Sequence, residues 1–496
     1  MATEIIDGDL TSTYFLDLSD EVIVTPFGSV FTDDFLGLTN RTEADIGVTL
    51  QLMGRIQADG IAVALVSDQG TGVGQGLRSD ISVGQTGYLS GQFGLLVFQG
   101  FGADIRVAGD IRGTYGGIET ASPDTVLRVS GTVHGTGVGI RIASQGDESD
   151  GYAAIFNRGW ISSGDGAAIE LLDAGGAIRN VSVISGAFGV SSNGHQELVI
   201  RNEGTILASV SHAIELTDGD ELATITNSGS ISTVGDAIHL QDADLRLVNS
   251  GTLAGNLGIW LDSAGDLILR NSGVISGDID ALVDHRWSGN TDIVNTGVIS
   301  GNINGGESQA DYRLINHGTI VGDIGLGAGD DFYKLTATGI TTGAVDGGTG
   351  NDTLIGNDGA DRLSGDDGDD RLRGRGGDDT LDGGAGSDRL HGGAGNDTLD
   401  GGRDFGPEGS DETQTDILTG GSGADIFVFG DRSGQDRVVD FEQGSDLLRL
   451  EGHVGGFETL DIRDQNGNLR VEHDNGSITL VGLAGLDLSD SDFDFV

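Results

Sequence analysis

The chain has 496 residues, including 89 glycines, 3 prolines and no cysteine, and its 78 acidic and 26 basic residues give a formal net charge of −52. This charge excludes DNA, RNA and anionic membranes as partners, because their phosphates would be repelled, and it favours bound cations. The lack of cysteine excludes disulfides and thiolate metal sites, so any metal is expected to bind oxygen ligands. We expect no transmembrane segment, since no apolar run approaches about 20 residues, and no cleavable N-terminal signal.

The first 43 residues are rich in Asp, Phe and Thr and do not follow the repeats found further along the chain. The open end of a stacked-coil fold exposes a sheet edge that has to be covered. We therefore predict that residues 1–43 form an N-terminal cap. The alternative is a docking strand for another copy of the chain, and hence self-association.

Residues 44–324 carry a first series of repeats, each with a glycine turn followed by three short segments of alternating polarity. Side chains alternate between the two faces of a strand, so each segment turns one apolar set inward. This pattern predicts an all-β fold whose N-terminal part is a right-handed parallel β-helix, with coils of about 22 residues. The clearest turns centre on Gly204, Gly229, Gly251, Gly273, Gly297 and Gly318.

An asparagine recurs two residues before each of these glycines. Asparagine tolerates left-handed backbone geometry, and stacked amides can hydrogen-bond along the axis of a solenoid. We predict that these residues form a structural ladder at one corner, with a ligand role as the alternative. The ladder consists of Asn202, Asn227, Asn249, Asn271, Asn295 and Asn316.

Residues 325–430 contain a second and more regular series. Six nine-residue units follow one another from Gly347, a seventh is interrupted around residues 405–414, and an eighth begins at Gly420. An outlying copy covers residues 326–334. These units resemble the GGxGxDxUx nonapeptide of RTX (repeats-in-toxin) proteins, and the resemblance implies a calcium-binding parallel β-roll.

The residue types within the units indicate the same ion. Two nine-residue units form one coil, so that units i and i+2 lie on the same edge, where glycines let the backbone expose its carbonyl oxygens. Aspartates and carbonyls together form an all-oxygen cage, which suits Ca²⁺ better than Mg²⁺ or Zn²⁺. The alternative, a solvated acidic face, is disfavoured because stacked carboxylates repel one another.

The predicted metal ligands are the aspartates at the sixth position of each unit, together with nearby backbone carbonyls. The aspartates are Asp331, Asp352, Asp361, Asp370, Asp379, Asp388, Asp397, Asp416 and Asp425. The carbonyls lie near Gly350, Gly359, Gly368, Gly377, Gly386, Gly395 and Gly423.

The calcium affinity that such sites usually have makes the ion part of the fold. Extracellular calcium modules bind at about 10⁻⁴–10⁻³ M, well above free cytosolic calcium. We expect residues 325–430 to be disordered inside the cell and to fold in millimolar calcium. Far-UV circular dichroism that is unchanged between chelator and calcium would contradict this expectation.

Residues 425–450 resemble the segment that closes the β-roll in serralysin-type and related RTX proteins, and residues 476–496 resemble the C-terminal ends of those proteins. We therefore assign residues 431–496 to a separate C-terminal segment. The terminal Asp492, Phe493, Asp494, Phe495 and Val496 match an acidic and then apolar terminus. The resemblance implies a C-terminal cap and an uncleaved signal for a type I exporter of a Gram-negative cell, with an ordinary edge strand as the alternative. We expect deletion of Ser489–Val496 to retain the protein in the cytoplasm.

The sequence lacks the motifs of several enzyme classes. It contains no HExxH, GxSxG or P-loop, and the string Asp284-His285-Arg286 lacks the proline of the DPH motif of mannuronan C5-epimerases. The nine histidines show no spacing typical of a metal site. Trp160 and Trp287 are interpreted as packing residues, with sugar platforms as the alternative.

One column of side chains is predicted on the outer surface of the β-helix. It mixes carboxylates with a guanidinium, an imidazole and an indole, as a sugar-binding groove does, although a solvated face looks the same. The column consists of Glu119, Arg141, Glu170, Ser191, Glu215, His239 and Trp260.

The repeats of the β-helix resemble those of bacterial surface adhesins and autotransporter passenger domains. We therefore predict a secreted, extracellular or cell-surface scaffold of the adhesin, matrix or surface-layer type, with calcium as cofactor and surface or matrix polysaccharide as partner. The alternative is a lyase or uronate C5-epimerase that acts on acidic glycans. A toxin is disfavoured, because no membrane-inserting segment precedes the repeats.

Overall fold

The structure of the protein is a computed structural model. It describes residues 49–59, 61–67, 79–98, 102–121, 124–144, 152–194, 196–217, 222–262, 265–281, 289–306, 310–403, 414–430, 432–474 and 476–496, together with short strands between residues 3 and 40. The chain forms two compact units. The first comprises Met1–Asp266 and Gly273–Gly277, and the second comprises Leu267–Ser272 and Asp278–Val496. The prediction of a domain boundary at residue 324 stays a prediction.

The first unit consists of short strands joined by tight turns. In chain order they are β1 (Thr3–Ile6), β2 (Asp9–Leu10), β3 (Phe15–Asp17), β4 (Glu21–Val24), β5 (Ser29–Thr32), β6 (Phe35–Asn40), β7 (Thr49–Leu52), β8 (Arg55–Ala58), β9 (Ile61–Ser67), β10 (Ser79–Val83), β11 (Tyr88–Phe98), β12 (Ala103–Val107), β13 (Asp110–Thr120), β14 (Val126–Val129), β15 (Thr132–Gly135), β16 (Val138–Ala143), β17 (Tyr152–Asn157), β18 (Trp160–Ser163), β19 (Ala167–Leu172), β20 (Gly175–Asn180), β21 (Val183–Gly186), β22 (Phe188–Ser192), β23 (Leu198–Asn202), β24 (Thr205–Ala208), β25 (Ile214–Leu216), β26 (Ala223–Asn227), β27 (Ser230–Ser232), β28 (Ile238–Leu240), β29 (Leu245–Asn249) and β30 (Thr252–Leu261).

These strands stack in three parallel rows, which confirms the predicted parallel β-helix. The first row runs β7–β10–β12–β14–β17–β20–β23–β26–β29, and each strand pairs in parallel with the next. The second row contains β15–β18–β21–β24–β27, and the third contains β16–β19–β22–β25–β28. Each coil therefore has three sides. The hand of the coils stays a prediction.

Strands β1–β6, in the segment predicted as a cap, continue this pattern. β4 pairs in parallel with β7, β5 with β8, and β6 with β9. The backbone of strands β1–β6 is thus in register with the coils that follow, although the sequence of this segment does not match the repeat. A cap or docking role for residues 1–43 stays a prediction.

The core of the first unit is a column of aliphatic side chains, because alternate residues of each strand face inward. Ile155, Ile178, Ile200 and Ile225 follow one another along the first row and are at most 1% exposed. Full burial of one such side chain stabilises the fold by about 1.5–3 kcal/mol. Stacked aliphatic columns therefore replace the large aromatic core that the composition lacks.

The predicted asparagine ladder is confirmed at the corner that follows the first row. In the first unit each Nδ2 donates to the Oδ1 of the asparagine one coil further on, at 2.8–2.9 Å, through Asn157, Asn180, Asn202, Asn227 and Asn249. The ladder thus includes two residues more than the sequence motif indicated. In the second unit Asn271 donates to Asn295 at 2.8 Å, and Asn295 donates to Asn316 at 3.0 Å.

The second unit also consists of short strands, with two 3₁₀ turns at Phe457–Thr459 and Asp490–Asp492. The strands from β31 onward are β31 (Leu267–Asn271), β32 (Val274–Ala281), β33 (Thr291–Asn295), β34 (Val298–Ser300), β35 (Ile303–Asn304), β36 (Tyr312–Asn316), β37 (Thr319–Val321), β38 (Ile324–Ala328), β39 (Phe332–Leu335), β40 (Ile340–Thr341), β41 (Val345–Thr349), β42 (Thr353–Ile355), β43 (Arg362–Asp367), β44 (Arg371–Gly376), β45 (Thr380–Asp382), β46 (Arg389–Ala394), β47 (Thr398–Asp400), β48 (Ile417–Ser422), β49 (Ile426–Phe429), β50 (Gly434–Val438), β51 (Leu447–Leu450), β52 (Asp461–Gln465), β53 (Asn468–His473), β54 (Gly476–Leu480) and β55 (Phe493–Phe495).

The coils of the second unit change from three rows to two. A row formed by β34, β37 and β40 accompanies the first coils. From β41 onward the paired strands form two rows, β42–β44–β46–β48–β50 and β41–β43–β45–β47–β49–β51. We call this two-row part the roll. At the C-terminal end, β52, β53 and β54 form an antiparallel sheet, and β55 pairs with β51.

Candidate calcium-binding site

The turns of the roll are built from stacked glycines. Gly350 and Gly368, at the fourth position of units in adjacent coils, have φ values of +132° and +147°. A Cβ on Gly368 would collide with the carbonyl oxygen of Gly350. Only glycine fits this stacking without strain, which explains why the turn repeats in the sequence with so little variation.

The aspartates at the sixth position lie in two buried rows, one along each edge of the roll. The first aspartate row contains Asp331, Asp352, Asp370, Asp388 and Asp416, and the second contains Asp361, Asp379, Asp397 and Asp425. All except Asp361, which is half-buried, are at most 2% exposed. Burial of so many carboxylates side by side requires a partner for each of them.

One oxygen of each stacked carboxylate except that of Asp361 accepts a hydrogen bond from the backbone of a neighbouring coil. The N–H of Asp352 donates to Oδ1 of Asp370 at 2.7 Å, and the N–H of Asp379 donates to Oδ1 of Asp397 at 2.8 Å. Bonded partners are 18 residues apart in the regular coils and 28 apart across the insertion. Residues 404–413 of the insertion lie outside the described part of the chain, yet Leu390 and Leu418 on either side are paired in register.

The second carboxylate oxygen has no hydrogen-bond partner in five members of the rows. It is the buried Oδ2 of Asp331, Asp352, Asp370, Asp379 and Asp397. This oxygen lies beside the glycine that begins its own unit: a Cβ on Gly347 would collide with Oδ2 of Asp352 and lie 3.0 Å from the carbonyl oxygen of Gly365. Carboxylate and carbonyl oxygens from adjacent coils thus line the same space.

The electrostatics of the rows favour a bound cation. Burial, reinforced by neighbouring carboxylates, raises the pKa of Asp331, Asp370 and Asp379 to about 7, and that of Asp352 and Asp425 to about 6. Desolvation and like charge both oppose ionisation. A divalent cation among the Oδ2 atoms would remove this cost, and an oxygen-only donor set at adjustable distances fits Ca²⁺.

The nine predicted aspartates lie in the two rows, but they do not all make the same hydrogen bonds. Oδ2 of Asp361 accepts a hydrogen bond from the N–H of Asn357 at 2.7 Å, so the second aspartate row begins with a residue that is already bonded. The carbonyl oxygens beside Oδ2 belong to the first glycine of a unit, such as Gly365 and Gly383, whereas the prediction named carbonyls near the fourth. The assignment of individual ligands stays a prediction.

Two further aspartates extend the rows beyond the predicted set. The N–H of Asp416 donates to Oδ1 of Asp436 at 3.1 Å, and the N–H of Asp425 donates to Oδ1 of Asp446 at 3.0 Å. Both aspartates stand two residues before a buried apolar residue, Val438 and Leu448, as in the nonapeptides. Gly434 and Gly444 also occupy the fourth position before them. This spacing was a usable signal, which the absence of glycines from the first two positions obscured.

The predicted outer column of the β-helix lies in register. Glu119, Arg141, Glu170, Ser191, Glu215, His239 and Trp260 pair in this order from coil to coil. Arg141 contacts Glu170 at 2.5 Å and Glu119 at 3.8 Å. The charges at the start of the column therefore neutralise one another.

Of the two tryptophans that were interpreted as packing residues, Trp160 lies in the described part of the chain. The indole of Trp160 is 53% exposed, and its Nε1 donates to Oγ of Ser185 at 3.0 Å. Trp160 is therefore a surface residue, and its interpretation as a packing residue is wrong. Trp287 and the string from Asp284 to Arg286 lie outside the described residues.

Comparison with known proteins agrees with the geometry of the roll. The family model of the RTX calcium-binding nonapeptide repeat (4 copies) matches residues 346–381, 373–405 and 412–431. No curated protein matches the chain. A similar solved structure is the extracellular lipase LipA from Serratia marcescens, with 16% sequence identity, a TM-score of 0.19, and coverage of 46% of this chain and 45% of that one.

The chain thus carries RTX calcium-binding nonapeptide repeats in a parallel β-solenoid. These repeats bind calcium, and the buried aspartate rows fit that ion. Within the described part of the chain, no helix has the length and hydrophobicity needed to cross a bilayer.

Proposed function

We propose that the protein is a secreted calcium-binding scaffold of the adhesin, matrix or surface-layer type, whose β-helix binds acidic polysaccharide. The calcium-dependent part of this proposal rests on the unpartnered Oδ2 atoms of the aspartate rows. Calcium bound there would neutralise the carboxylates and join adjacent coils, so the roll would fold after export into millimolar calcium.

The binding role is carried by a row of basic side chains on the outer face of the first row of strands. Arg106, Arg128, Phe156, Arg179 and Arg201 are neighbours from coil to coil. The first four line a groove of about 560 Å³, to which Arg158 also contributes. In a chain with a net charge of −52, this clustering of arginines is the feature that fits an anionic ligand.

The chemistry of the groove suits a uronate polymer. Arginine binds carboxylates through paired hydrogen bonds, and the exposed ring of Phe156, with the guanidinium of Arg128 at 5.6 Å, offers an apolar face between the charges. Arg128 and Arg179 are paired with Asp104 and Glu203. The side chains of Arg179 and Glu203 are both about half exposed, and an exposed pair contributes only about 0–1 kcal/mol, so a polyanion can replace Glu203 at small cost. The Asp104 side chain is only 19% exposed, but that of Arg128 is 47% exposed and remains accessible to a ligand.

Binding of short oligouronates to the calcium-loaded chain tests the scaffold role. Short oligomers are used because long alginate and pectate chains gel with calcium. We expect binding that weakens with salt, and we expect Arg128→Gln with Arg179→Gln to lower the affinity about tenfold, because one charge-assisted hydrogen bond contributes about 1.5–3 kcal/mol. Arg463→Gln, which removes an exposed ion-paired arginine of the C-terminal hairpin, is the matched control. Equal affinity of the three proteins would contradict the proposal.

A lyase or uronate C5-epimerase is the second candidate, and the in-register outer column favours it. Proton NMR of the same oligouronates after incubation distinguishes the two, because an enzyme would generate unsaturated or epimerised sugar signals. Glu170→Gln would then abolish them. The ion pairs of Arg141 with Glu170 and Glu119 favour the scaffold, since they occupy the charged groups that a reaction would need.

Export through a type I exporter is the proposed route to the cell exterior. In the folded roll Phe493 of β55 is buried, and its backbone is paired with Leu448. A terminal signal in this position is accessible to an exporter only before the roll folds. We expect residues 425–496, fused to a cytoplasmic reporter, to direct it into the medium of an exporting Gram-negative host, and the same fusion without Ser489–Val496 to remain inside.

A further inference from the structure

The third row of the β-helix brings together two histidines and a glutamate that are separate in sequence. His212 and Glu215 belong to one coil, and His239 belongs to the next, where it is paired with Glu215 across β25 and β28. Each residue offers one ligand atom such that the three atoms lie within 4.8 Å of one another. The spacing of the histidines in the sequence did not indicate this cluster.

His239 is the buried member of the cluster. It is 7% exposed, and neither of its ring nitrogens has a hydrogen-bond partner. The carboxylate of Asp262 is 4.0 Å from Nε2, which is longer than a hydrogen bond. Because an unsatisfied buried polar group is costly, an imidazole in this state indicates that a ligand belongs beside it.

Neighbouring side chains hold the other two residues in position. Nδ1 of His212 lies 3.1 Å from Oδ2 of the buried Asp236, an ion-pair contact without the angles of a hydrogen bond, and Oδ1 of Asp236 accepts a hydrogen bond from the N–H of Leu257. A carboxylate beside one ring nitrogen orients a metal-binding histidine once the ring donates to it, and it leaves the other nitrogen for the metal. Similarly, Oγ of Ser191 donates to Oε2 of Glu215 at 3.2 Å.

Aromatic packing closes the remaining sides of the cluster. The ring of Trp260 stacks on His239 at 4.2 Å with an interplanar angle of 18°, and the ring of His212 lies 4.5 Å from that of His239.

We propose that His212, Glu215 and His239 bind a divalent transition-metal ion, with Zn²⁺ as the best fit, and leave a fourth position open to water or an oxygen ligand. Two imidazoles and one carboxylate are a donor set that zinc accepts, whereas calcium prefers oxygen alone. The protein would thus bind two kinds of metal at sites of different chemistry. This site does not depend on the proposed scaffold role or on the roll.

Metal titration of the full-length protein in millimolar calcium tests the proposal. Excess calcium occupies the aspartate rows, so that added Zn²⁺ reports on the histidine cluster. We expect one tightly bound zinc per chain by calorimetry and elemental analysis, and visible absorption bands of four-coordinate Co²⁺ when cobalt replaces zinc. In a background with both Trp160→Phe and Trp287→Phe, where Trp260 is the remaining tryptophan, Co²⁺ bound beside His239 should also quench the fluorescence of Trp260.

Three variants and one control complete the design. Asp236→Asn should lower zinc affinity by about 10–100-fold, as the loss of such orienting partners does, and Glu215→Gln and His239→Gln should lower it further. His317→Gln removes an exposed histidine of the second unit and should leave zinc binding unchanged. Glu215 is only half-buried, so its variant is expected to fold. Equal zinc binding by the wild type and Glu215→Gln, or no zinc binding by the wild type, would overturn the proposal and leave the rings as packing.

Discussion

The β-helix and the roll both stack polar side chains at their corners, but with different functional groups. In the β-helix, Nδ2 of Asn180 donates to Oδ1 of Asn202 at 2.8 Å and to the carbonyl of Thr205 at 3.0 Å, while its Oδ1 accepts from Asn157 and from the N–H of Ser182. An amide both donates and accepts, so the asparagine ladder satisfies itself. This ladder needs no ion.

The aspartates of the roll form a different stack, at the start of the strands rather than at their end, and can only accept hydrogen bonds when ionised. Backbone N–H groups satisfy Oδ1, as between Asp352 and Asp370, and leave Oδ2 unpartnered. A stack of amides is therefore self-sufficient, whereas a stack of buried carboxylates favours a bound cation. We accordingly expect the β-helix to fold unaided and the roll to fold only with calcium.

The largest effect is expected when both aspartate rows are interrupted. Asp370→Ala with Asp379→Ala removes one proposed ligand from each row and leaves the buried N–H groups of Asp352 and Asp361 without their acceptors. Each unsatisfied group costs about 1–3 kcal/mol. We expect the calcium concentration at the midpoint of folding, followed by circular dichroism, to rise at least tenfold. Asp358→Ala, which changes an exposed aspartate of the same repeats, is the control and should leave the midpoint unchanged.

A carboxylate placed in the asparagine ladder should reproduce the instability of the roll. In Asn202→Asp, an oxygen replaces the Nδ2 that donates to Asn227, Ser230 and Gly204, so it faces only acceptors. Asn202→Ala should lower the free energy of unfolding by about 1–3 kcal/mol, the cost of an unsatisfied polar group. We expect Asn202→Asp to lower it by more than this. The melting temperature of the β-helix should fall equally in calcium and in chelator. A decrease as large in Asn256→Asp, at an exposed position, would contradict the ladder account.

Without calcium, the stability of the roll should fall as the pH rises, and this dependence distinguishes the roll from the β-helix. Burial raises the pKa of Asp331, Asp370 and Asp379 to about 7 in the folded state, above the value of about 4 in an unfolded chain. Because the folded state binds these protons more tightly than the unfolded chain, protonation stabilises the fold. This contribution to stability is fully present below about pH 4 and is lost as the pH rises through about 7. In chelator we therefore expect more β-structure at pH 5 than at pH 8. With calcium the dependence should reverse, because protons compete for the same oxygens.

Much of the fold could be predicted from the sequence because each coil repeats the same local chemistry. The glycine turns, the asparagines such as Asn202 and the inward leucines such as Leu372 recur at fixed spacing, and stacking brings equal positions together. The outer column from Glu119 to Trp260 followed from the same rule. Repetition converts sequence position directly into spatial neighbourhood, which is not the case for most folds.

Two kinds of feature were not predicted from the sequence. One is a cluster formed by residues at different positions of neighbouring coils, and the other consists of strands and aspartates that do not follow the repeat pattern. His212 stands at a corner outside the column, so its approach to His239 depends on the path of the turn rather than on the strand register. The similarity between the strings His212–Leu216 and Asp236–Leu240 was the available signal. Strands β1–β6 carry no recognisable repeat, and the units of Asp436 and Asp446 lack the glycines of the first two positions of the nonapeptide, so pattern matching alone did not place them.

Hydrogen–deuterium exchange of the full-length chain, with and without calcium, tests directly whether the roll needs the ion and the β-helix does not. Peptides from residues 345–430 report on the aspartate rows, and peptides from residues 157–249 report on the asparagine ladder. We predict that chelation abolishes the protection of the roll peptides and leaves the β-helix peptides protected, because only the aspartates need the ion. Equal protection of the roll in calcium and in chelator, or loss of protection in both regions together, would contradict it.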